Sequence, residues 1–378
     1  MNAVVQLPAA RRRPLPRLAL LGTGVVGSAF VARYERLRDR VEGLPEFVWL
    51  ANSRSMQACA AAPADALDAA RSAPAREADL PPWAEAESLR DGDLIVDATA
   101  SDAVADWHAE WLARGIHVVT ANKLGNGGAL ARAEAIQRAR RDSGTGYGDS
   151  ATVGAGLPLL RSLRALVAGG DLIHRVEGVL SGSLAWLFNH YDGMRPFSGF
   201  VRQARDAGYT EPDPRIDLSG EDVRRKLLIL ARAAGLPLHA EAVRVESLVP
   251  EALAALPIGE LDGALDQFDA PLGAQFREAY RNGEKLRFLG RFDAEGASVG
   301  LQALASTHAL CGGGGTDNRV AIFSDRYPDQ PLVVQGPGAG PDVTAAGVFG
   351  DVLAIAQSLG VSPALSSPLV DVRAEVHA

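Results

Sequence analysis

Six residues, Gly22-Thr23-Gly24-Val25-Val26-Gly27, constrain the fold more than any others in this chain. They follow a short apolar run, RLALL at 17–21, and open a stretch that reads as a helix to about residue 41. A G-x-G-x-x-G pattern alone is weak, but a strand before it and a helix after it is the context a dinucleotide site requires. The first glycine permits a tight turn, the second lets a pyrophosphate approach the backbone, and the third allows close packing of helix on strand. The free N–H groups and dipole of the helix N-terminus then face the diphosphate. Downstream, the apolar runs EFVWLA (46–51), DLIVDA (93–98) and IHVVT (116–120) alternate with helical patterns at 104–114 and 129–141. An Ala-rich stretch with scattered Pro, 56–90, reads as surface helices and loops. This alternation predicts a parallel sheet with right-handed crossovers, an α/β Rossmann dinucleotide-binding domain over roughly 15–150.

The pattern changes near Tyr147. Gly154 and Gly156 lead into Pro158, which suits the first turn of a helix ending near Ala168. Strands are expected at 175–180, 288–292, 298–304, 320–323 and 331–335, the last four antiparallel, with helices at 219–234 and through most of 245–285. CGGGGTDN at 311–318 reads as a flexible loop. The expectation is an α+β substrate-binding and dimerisation domain with a mixed sheet over 151–335. A final segment, 336–378, carries a helix at 343–359 that returns to the first domain. The 378 residues are enough for two cores.

Bulk properties narrow the function classes. A net charge of −8 argues against a nucleic-acid partner. No apolar run reaches the length of a membrane span. Two cysteines, Cys59 and Cys311, are too few for a disulfide framework and fit a reducing, cytoplasmic setting. The Arg-rich segment 1–14 lacks the apolar core of a secretory signal, and Pro8, Pro14 and Pro16 break any amphipathic helix there. It reads as a disordered lead. His174 and His190 have no metal-ligand spacing.

At the adenosine end, an NAD site usually carries an acid after the second strand to bind the ribose 2′-hydroxyl. This chain has Ala51-Asn52-Ser53-Arg54 instead, and Arg54 suits a 2′-phosphate. NADP is therefore expected ahead of NAD, unless Arg54 is merely solvated. At the nicotinamide end, two strands run out into polar residues, Thr99-Ala100-Ser101 and Ala121-Asn122-Lys123. Thr99 and Ser101 are candidates for the ribose or carboxamide. Lys123 is a candidate for the substrate or for proton steering, with an ordinary surface lysine as the alternative.

The stretch GYTEPDPRIDLSGEDVRRK, 208–226, sets Glu211, Asp213, Asp217, Glu221 and Asp222 around a turn that enters a helix, beside Lys226 and the apolar run LLILA. Gly208 suits a left-handed helix end. Ser219 suits an N-cap, with Asp222 at the third helical position. At about 100° per residue, Asp222 and Lys226 lie about 40° apart on one partly buried face, while Arg224 and Arg225 point elsewhere. Desolvation lowers a lysine pKa and suits it to proton transfer, whereas nearby carboxylates oppose that shift. A plain cap and an ordinary i,i+4 ion pair remain the alternative. The density of acids favours a pocket for a small cationic substrate.

The motifs GTGVVG, DATAS, VVTANK, ATVGAGLP, LSGSLAWLFN, GYTEPDPRIDLSGEDVRRKLLILAR and GPGAGPDVTAAGVFGD together resemble the homoserine dehydrogenase family, over nearly all of 17–361. The likeness is to the dehydrogenase half of the bifunctional aspartokinase–homoserine dehydrogenases, without a kinase half or a regulatory ACT domain. It implies oxidation of L-homoserine to L-aspartate 4-semialdehyde, run physiologically in reverse with NADPH, in threonine, methionine and isoleucine biosynthesis. On that resemblance Lys226 is the main acid/base and Lys123 assists at the substrate oxygen. Glu211, Asp217 and Asp222 hold the substrate, Tyr209, Thr210, Gly182 and Ser183 line its pocket, and Gly338, Ala339 and Gly340 close on the cofactor. Asp213 and Glu221 are left as structural acids. A homodimer through the mixed sheet is implied. So is a sodium site on the carbonyls of Val153, Ala155 and Leu157, although Ser150 stands where relatives usually have an acid and Ile216 where they often have an Asp.

Overall fold

The computed structural model describes residues 15–60, 62–74, 88–361 and 364–365. The lead expected at 1–14 and the 75–87 part of the Ala-rich stretch lie outside the described residues.

Two six-stranded sheets organise the chain. In the first, the strands run in the order Met56–Ala58, Glu46–Ala51, Arg17–Leu21, Leu94–Asp97, His117–Thr120, Tyr147–Gly148. All neighbours are parallel except Met56–Ala58, which pairs antiparallel with Glu46–Ala51. Strands covered on both faces need apolar residues on both sides, and the centres of these have them, with the buried polar residues His117, Asp97 and Thr120 at strand ends. Leu18, Leu20, Leu50, Val96 and Val119 face the core under helix Val25–Arg38. Their neighbours Ala19, Ala51, Ile95 and Val118 face the opposite core with Trp111 and Ile136.

In the second sheet the order is Tyr327–Pro337, Asp317–Ser324, Ile173–Val179, Glu284–Asp293, Gly296–Ala305, Val243–Val245. The pairings are antiparallel apart from Val243–Val245, which runs parallel to Ala297–Val299, so the sheet is mixed as expected. Alternation splits its faces. Val176, Phe288, Phe292, Val320 and Ile322 join the large core that includes Val223, Leu227 and Leu230 of helix Glu221–Ala233. Gly290 lets that helix approach, since a Cβ there would stand 3.2 Å from Val223 and 3.4 Å from Leu227.

The last helix, Pro341–Ser358, packs on the first sheet's layer. Its Phe349 is buried against Phe30 of helix Val25–Arg38, with ring centroids 6.1 Å apart.

Several local expectations need correction. The helix read at 104–114 is two short helices, Asp102–Asp106 and His108–Ala113, with Ser101 capping the first through Val104 N–H. Ser219 ends a short helix, Pro214–Leu218, and is not the N-cap of the next. Gly220, in the left-handed region at φ 81°, precedes Glu221–Ala233, so Asp222 is the second helical residue. The edge strands Met56–Ala58 and Tyr147–Gly148 carry too few residues to leave a periodic signal.

Removing the Phe349 ring leaves a void between the last helix and Val25–Arg38. Phe349→Ala is expected to cost about 3–5 kcal/mol, read as a lowered urea midpoint.

Candidate active site

A cavity of about 920 Å³ lies between the two sheets' layers. From the first layer it is lined by Val25, Val26, Thr99, Asn122 and Lys123. From the second it is lined by Gly182, Ser183, Tyr209, Glu211, Asp217, Asp222 and Lys226, and Gly338, Ala339 and Gly340 border it as well. Thus residues from distant stretches of sequence converge, including the loop before the last helix.

Lys226 is its chemical centre. The helix buries Lys226 to 8% exposure among Leu227, Leu228 and Ile229, and its Nζ donates to the Leu180 carbonyl at 2.7 Å. Asp222, one turn earlier, lies 2.7 Å from the same Nζ. The other Asp222 oxygen is 3.5 Å from Lys123 Nζ, so one carboxylate bridges two lysines from different layers. Burial lowers the Lys226 pKa; Asp222 opposes that shift and the positive charge of Lys123 adds to it. For Asp222, burial acts to raise the value, but the charges of Lys226 and Lys123 outweigh it and bring it down to about 2. The expected shared face of Asp222 and Lys226 is present and Arg224 turns away to Glu221 at 2.5 Å, but Arg225, expected to point elsewhere, borders the same cavity.

Around this pair the acids divide by role. Asp217 accepts from Ser183 Oγ at 2.7 Å and from Glu211 N–H at 2.9 Å, which aims its carboxylate along the cavity wall. Glu211 is exposed at the mouth, as is Tyr209, whose ring lies 5.3 Å from Trp186. Asp213 caps the helix Pro214–Leu218 and pairs with Arg215 at 2.7 Å, a structural use. Thr210 is buried, turns its hydroxyl to the Glu211 carbonyl and does not line the cavity. Ile216 does line it.

The glycine loop has the shape that a dinucleotide needs. Gly22 sits at φ 100°, where a Cβ would meet the Ala98 carbonyl at 2.7 Å. A Cβ on Gly27 would fall 1.9 Å from the Gly22 carbonyl, whereas around Gly24 there is open space on the side a phosphate would approach. Asn52 ties the second strand to this loop through Thr23 Oγ1 at 2.9 Å. Arg54 is exposed, and its guanidinium reaches the Arg71 carbonyl at 3.4 Å. Arg71 in turn donates to the Thr23 carbonyl at 3.2 Å. The sequence reading missed Arg71, because an arginine ending a surface helix carries no signal by itself. Thr99 lines the cavity but donates its hydroxyl to Asp97 at 2.6 Å, and Ser101 is occupied as a cap.

The turn at 153–157 is less suited to sodium. Val153 is buried, Ala155 takes φ 52°, and the Leu157 carbonyl already accepts from Leu159 N–H at 2.8 Å. Ser150 is held by Asp351 at 2.8 Å through both its N–H and its hydroxyl. Asp149 beside it is fully buried between Arg164, at 2.5 and 2.8 Å, and Asn126, at 2.7 Å. Both flanking acids are therefore taken, and the residues present do not fit a cation held by an acidic side chain. His174 pairs with Asp325 and His190 with the Trp186 carbonyl.

Two family models match the chain. "Homoserine dehydrogenase, NAD binding domain" covers 22–147 and "Homoserine dehydrogenase" covers 158–353. The bifunctional aspartokinase/homoserine dehydrogenase 2, chloroplastic, of Zea mays is 46% identical over 270 residues, 71% of this chain, and the chain spans 29% of that protein's length. The homoserine dehydrogenase of Paracoccidioides brasiliensis is 41% identical over 278 residues, 70% of this chain and 75% of that one. A crystal structure of a Candida auris protein of unknown function superposes with a TM-score of 0.81 at 34% identity, covering 90% of this chain and 98% of that one.

Asp222 supplies an acid-stability test. Its folded value, about 2, lies below the ordinary 3.8, so the stability it contributes is complete above the ordinary value and disappears as pH falls through the folded one. Asp222→Asn is expected to melt below the wild type at neutral pH, with the gap closing between about pH 4 and pH 2. Thermal melts across that range check it.

Proposed function

The chain belongs to the homoserine dehydrogenase family, a group of nicotinamide-dependent oxidoreductases, and from that premise we propose that it interconverts L-homoserine and L-aspartate 4-semialdehyde. The reading rests on one observation above the rest: a buried lysine, charge-paired with Asp222, opens onto the same cavity as the glycine-loop helix.

In the oxidation direction the substrate hydroxyl must lose a proton as its carbon loses a hydride. Nicotinamide supplies the hydride acceptor when bound. Lys226, with its pKa lowered by burial, is the base that takes the hydroxyl proton, and in reduction it returns one. Lys123 reaches the same carboxylate from the opposite wall and stabilises negative charge developing on the substrate oxygen. Glu211 and Asp217 receive the substrate ammonium, with Ser183 holding Asp217 in place. Gly182 and Tyr209 shape the pocket, and Thr210 supports it through Glu211. Gly22, Thr23, Gly24, Val25, Val26 and Gly27 cradle the diphosphate, with Gly338, Ala339 and Gly340 on the facing side. Arg54, with Arg71 beside it, favours NADP over NAD. No step is routed through sodium at Val153, Ala155 and Leu157.

A homodimer through the mixed sheet is part of this proposal, supported by the partly covered apolar residues Leu304 and Val333 on the face opposite helix Glu221–Ala233. No helix among the described residues is long and apolar enough to cross a membrane. Cytoplasmic residence is proposed from the two free cysteines.

Purified protein is expected to reduce NADP with L-homoserine, with a KM for NADPH in the reverse reaction well below that for NADH. No turnover with intact cofactor binding sinks the activity, and a clear NADH preference sinks the Arg54 assignment. Lys226→Ala is expected to lower kcat by about 10² or more; steady-state rates close to wild type would remove it from proton transfer.

A further inference from the structure

We propose that Tyr147, His108 and Asp97 form a buried polar perch that positions Lys123, acting through Asn122 and the turn at 124–127. The proposal rests on the reading of Lys226 and Lys123 as the reacting pair.

The three residues come from two strands and a helix of the first layer and are 8%, 0% and 0% exposed. His108 Nδ1 lies 3.0 Å from the Tyr147 hydroxyl and Nε2 lies 3.0 Å from Asp97 Oδ2. The same Asp97 oxygen accepts from Asn122 Nδ2 at 3.0 Å, while Oδ1 accepts from Thr99 N–H at 2.9 Å and from its hydroxyl at 2.6 Å. Asn122 also donates to the Ser101 carbonyl at 2.8 Å and accepts from Leu124 N–H at 3.1 Å. The residue immediately before Lys123 is therefore held at both ends of its amide. The residues after it rest on the same chain, because a Cβ on Gly125 would lie 2.4 Å from the Tyr147 hydroxyl and 3.1 Å from His108 Nδ1.

Burial raises the Tyr147 pKa well above its ordinary value, so the phenol keeps its proton. His108 links that phenol to Asp97, the acceptor shared with Asn122. A filler of aliphatic side chains would occupy this space without the desolvation cost of three polar groups. What the polar chain adds is one geometry, fixed by directional bonds at every link. Lys123 needs that, because its long side chain is 38% exposed and meets Asp222 only at 3.5 Å. A reacting group is only as well placed as the residues behind it.

Tyr147→Phe and His108→Gln test the perch and leave the Thr99 and Asn122 bonds to Asp97 in place. The charged groups that face Lys226 are Asp222 from its own helix, Lys123 from the turn and Asp217 from the short helix; Glu211 and Arg225 line the same cavity. Of these, Lys123 pushes the Lys226 pKa down, so a loosened turn moves the lysine limb of the pH–rate profile to higher pH. A substitution that only destabilises the fold scales the rate at every pH and leaves that limb where it was. Expected for both variants are a kcat lowered about tenfold, a KM for NADP within about twofold of wild type, and a limb shifted upward. Wild-type kcat and limb in Tyr147→Phe, or activity loss that tracks the folded fraction alone, overturns the proposal. Should His108→Gln fail to fold, the nearly isosteric Tyr147→Phe decides. Lys226→Ala separates the two levels: if it is inactive while Tyr147→Phe is normal, only the perch is lost, and if it is active the underlying reading is lost too.

Discussion

One carboxylate holds this site together. Asp222 touches Lys226 from its own helix and Lys123 from the other layer, so the contact that pairs the buried lysine also joins the two halves of the cavity. Burying a lone ammonium costs several kcal/mol, and removing the partner of a buried charge leaves that cost uncompensated. Lys226 avoids a full penalty by three means: the Asp222 pair, the Leu180 carbonyl and a pKa lowered by its surroundings. A lowered pKa is also what the proposed proton transfer would require, so under that proposal the structural compromise and the chemistry are the same feature.

The two lysines differ in what surrounds them. Lys226 is fixed by a long amphipathic helix whose other faces lie in the large core. Lys123 stands at the start of a four-residue helix, Leu124–Gly127, too short to stabilise itself. Its neighbours supply what propensity does not. Arg232, buried near the end of the Lys226 helix, donates to the carbonyls of Asn126, at 2.5 Å, and Gly128, at 2.8 Å. Gly127 closes against Ile229 and the Arg225 carbonyl. The short turn is therefore gripped from both layers.

Much of this was legible in the sequence where the signal is local. The glycine loop, the parallel strands and the Asp222–Lys226 face follow from spacing within one or two elements, and Gly208 takes the left-handed conformation expected of it, at φ 72°. The misreadings are also local in origin. Ser219 reads as the N-cap, yet Gly220 in the left-handed region takes that position between the two helices, and the Ser219 hydroxyl oxygen accepts from Glu221 N–H at 3.3 Å. Ser101 and Thr99 carry further duties that a sequence does not show: Ser101 accepts from Val104 N–H, and Thr99 donates to Asp97 while lining the cavity. The cluster of Asp97, His108 and Tyr147 left no trace, since its members are separated by 11 and 39 positions and meet only when the sheet forms. Arg71 and Arg164 were silent for the same reason: each reads as a helix-surface arginine until its partner arrives from elsewhere.

The grip on residues 122–128 bears on how freely the two layers of this chain can be exchanged. A Rossmann domain is often treated as a module, to be swapped for another to change cofactor use. Here the natural seam between modules runs through the most tightly shared element in the molecule. Arg232 satisfies its guanidinium on carbonyls of the first layer and on the Leu238 carbonyl of its own, and Asn126 passes the connection on to Asp149. A chimera that replaced 122–128 would pair a foreign turn with this arginine and leave a buried cation facing carbonyls of the wrong shape. Cofactor engineering in this scaffold is better confined to the loop around Arg54 and Arg71, which follows a strand separated by two others across the sheet from the one that leads into the shared turn.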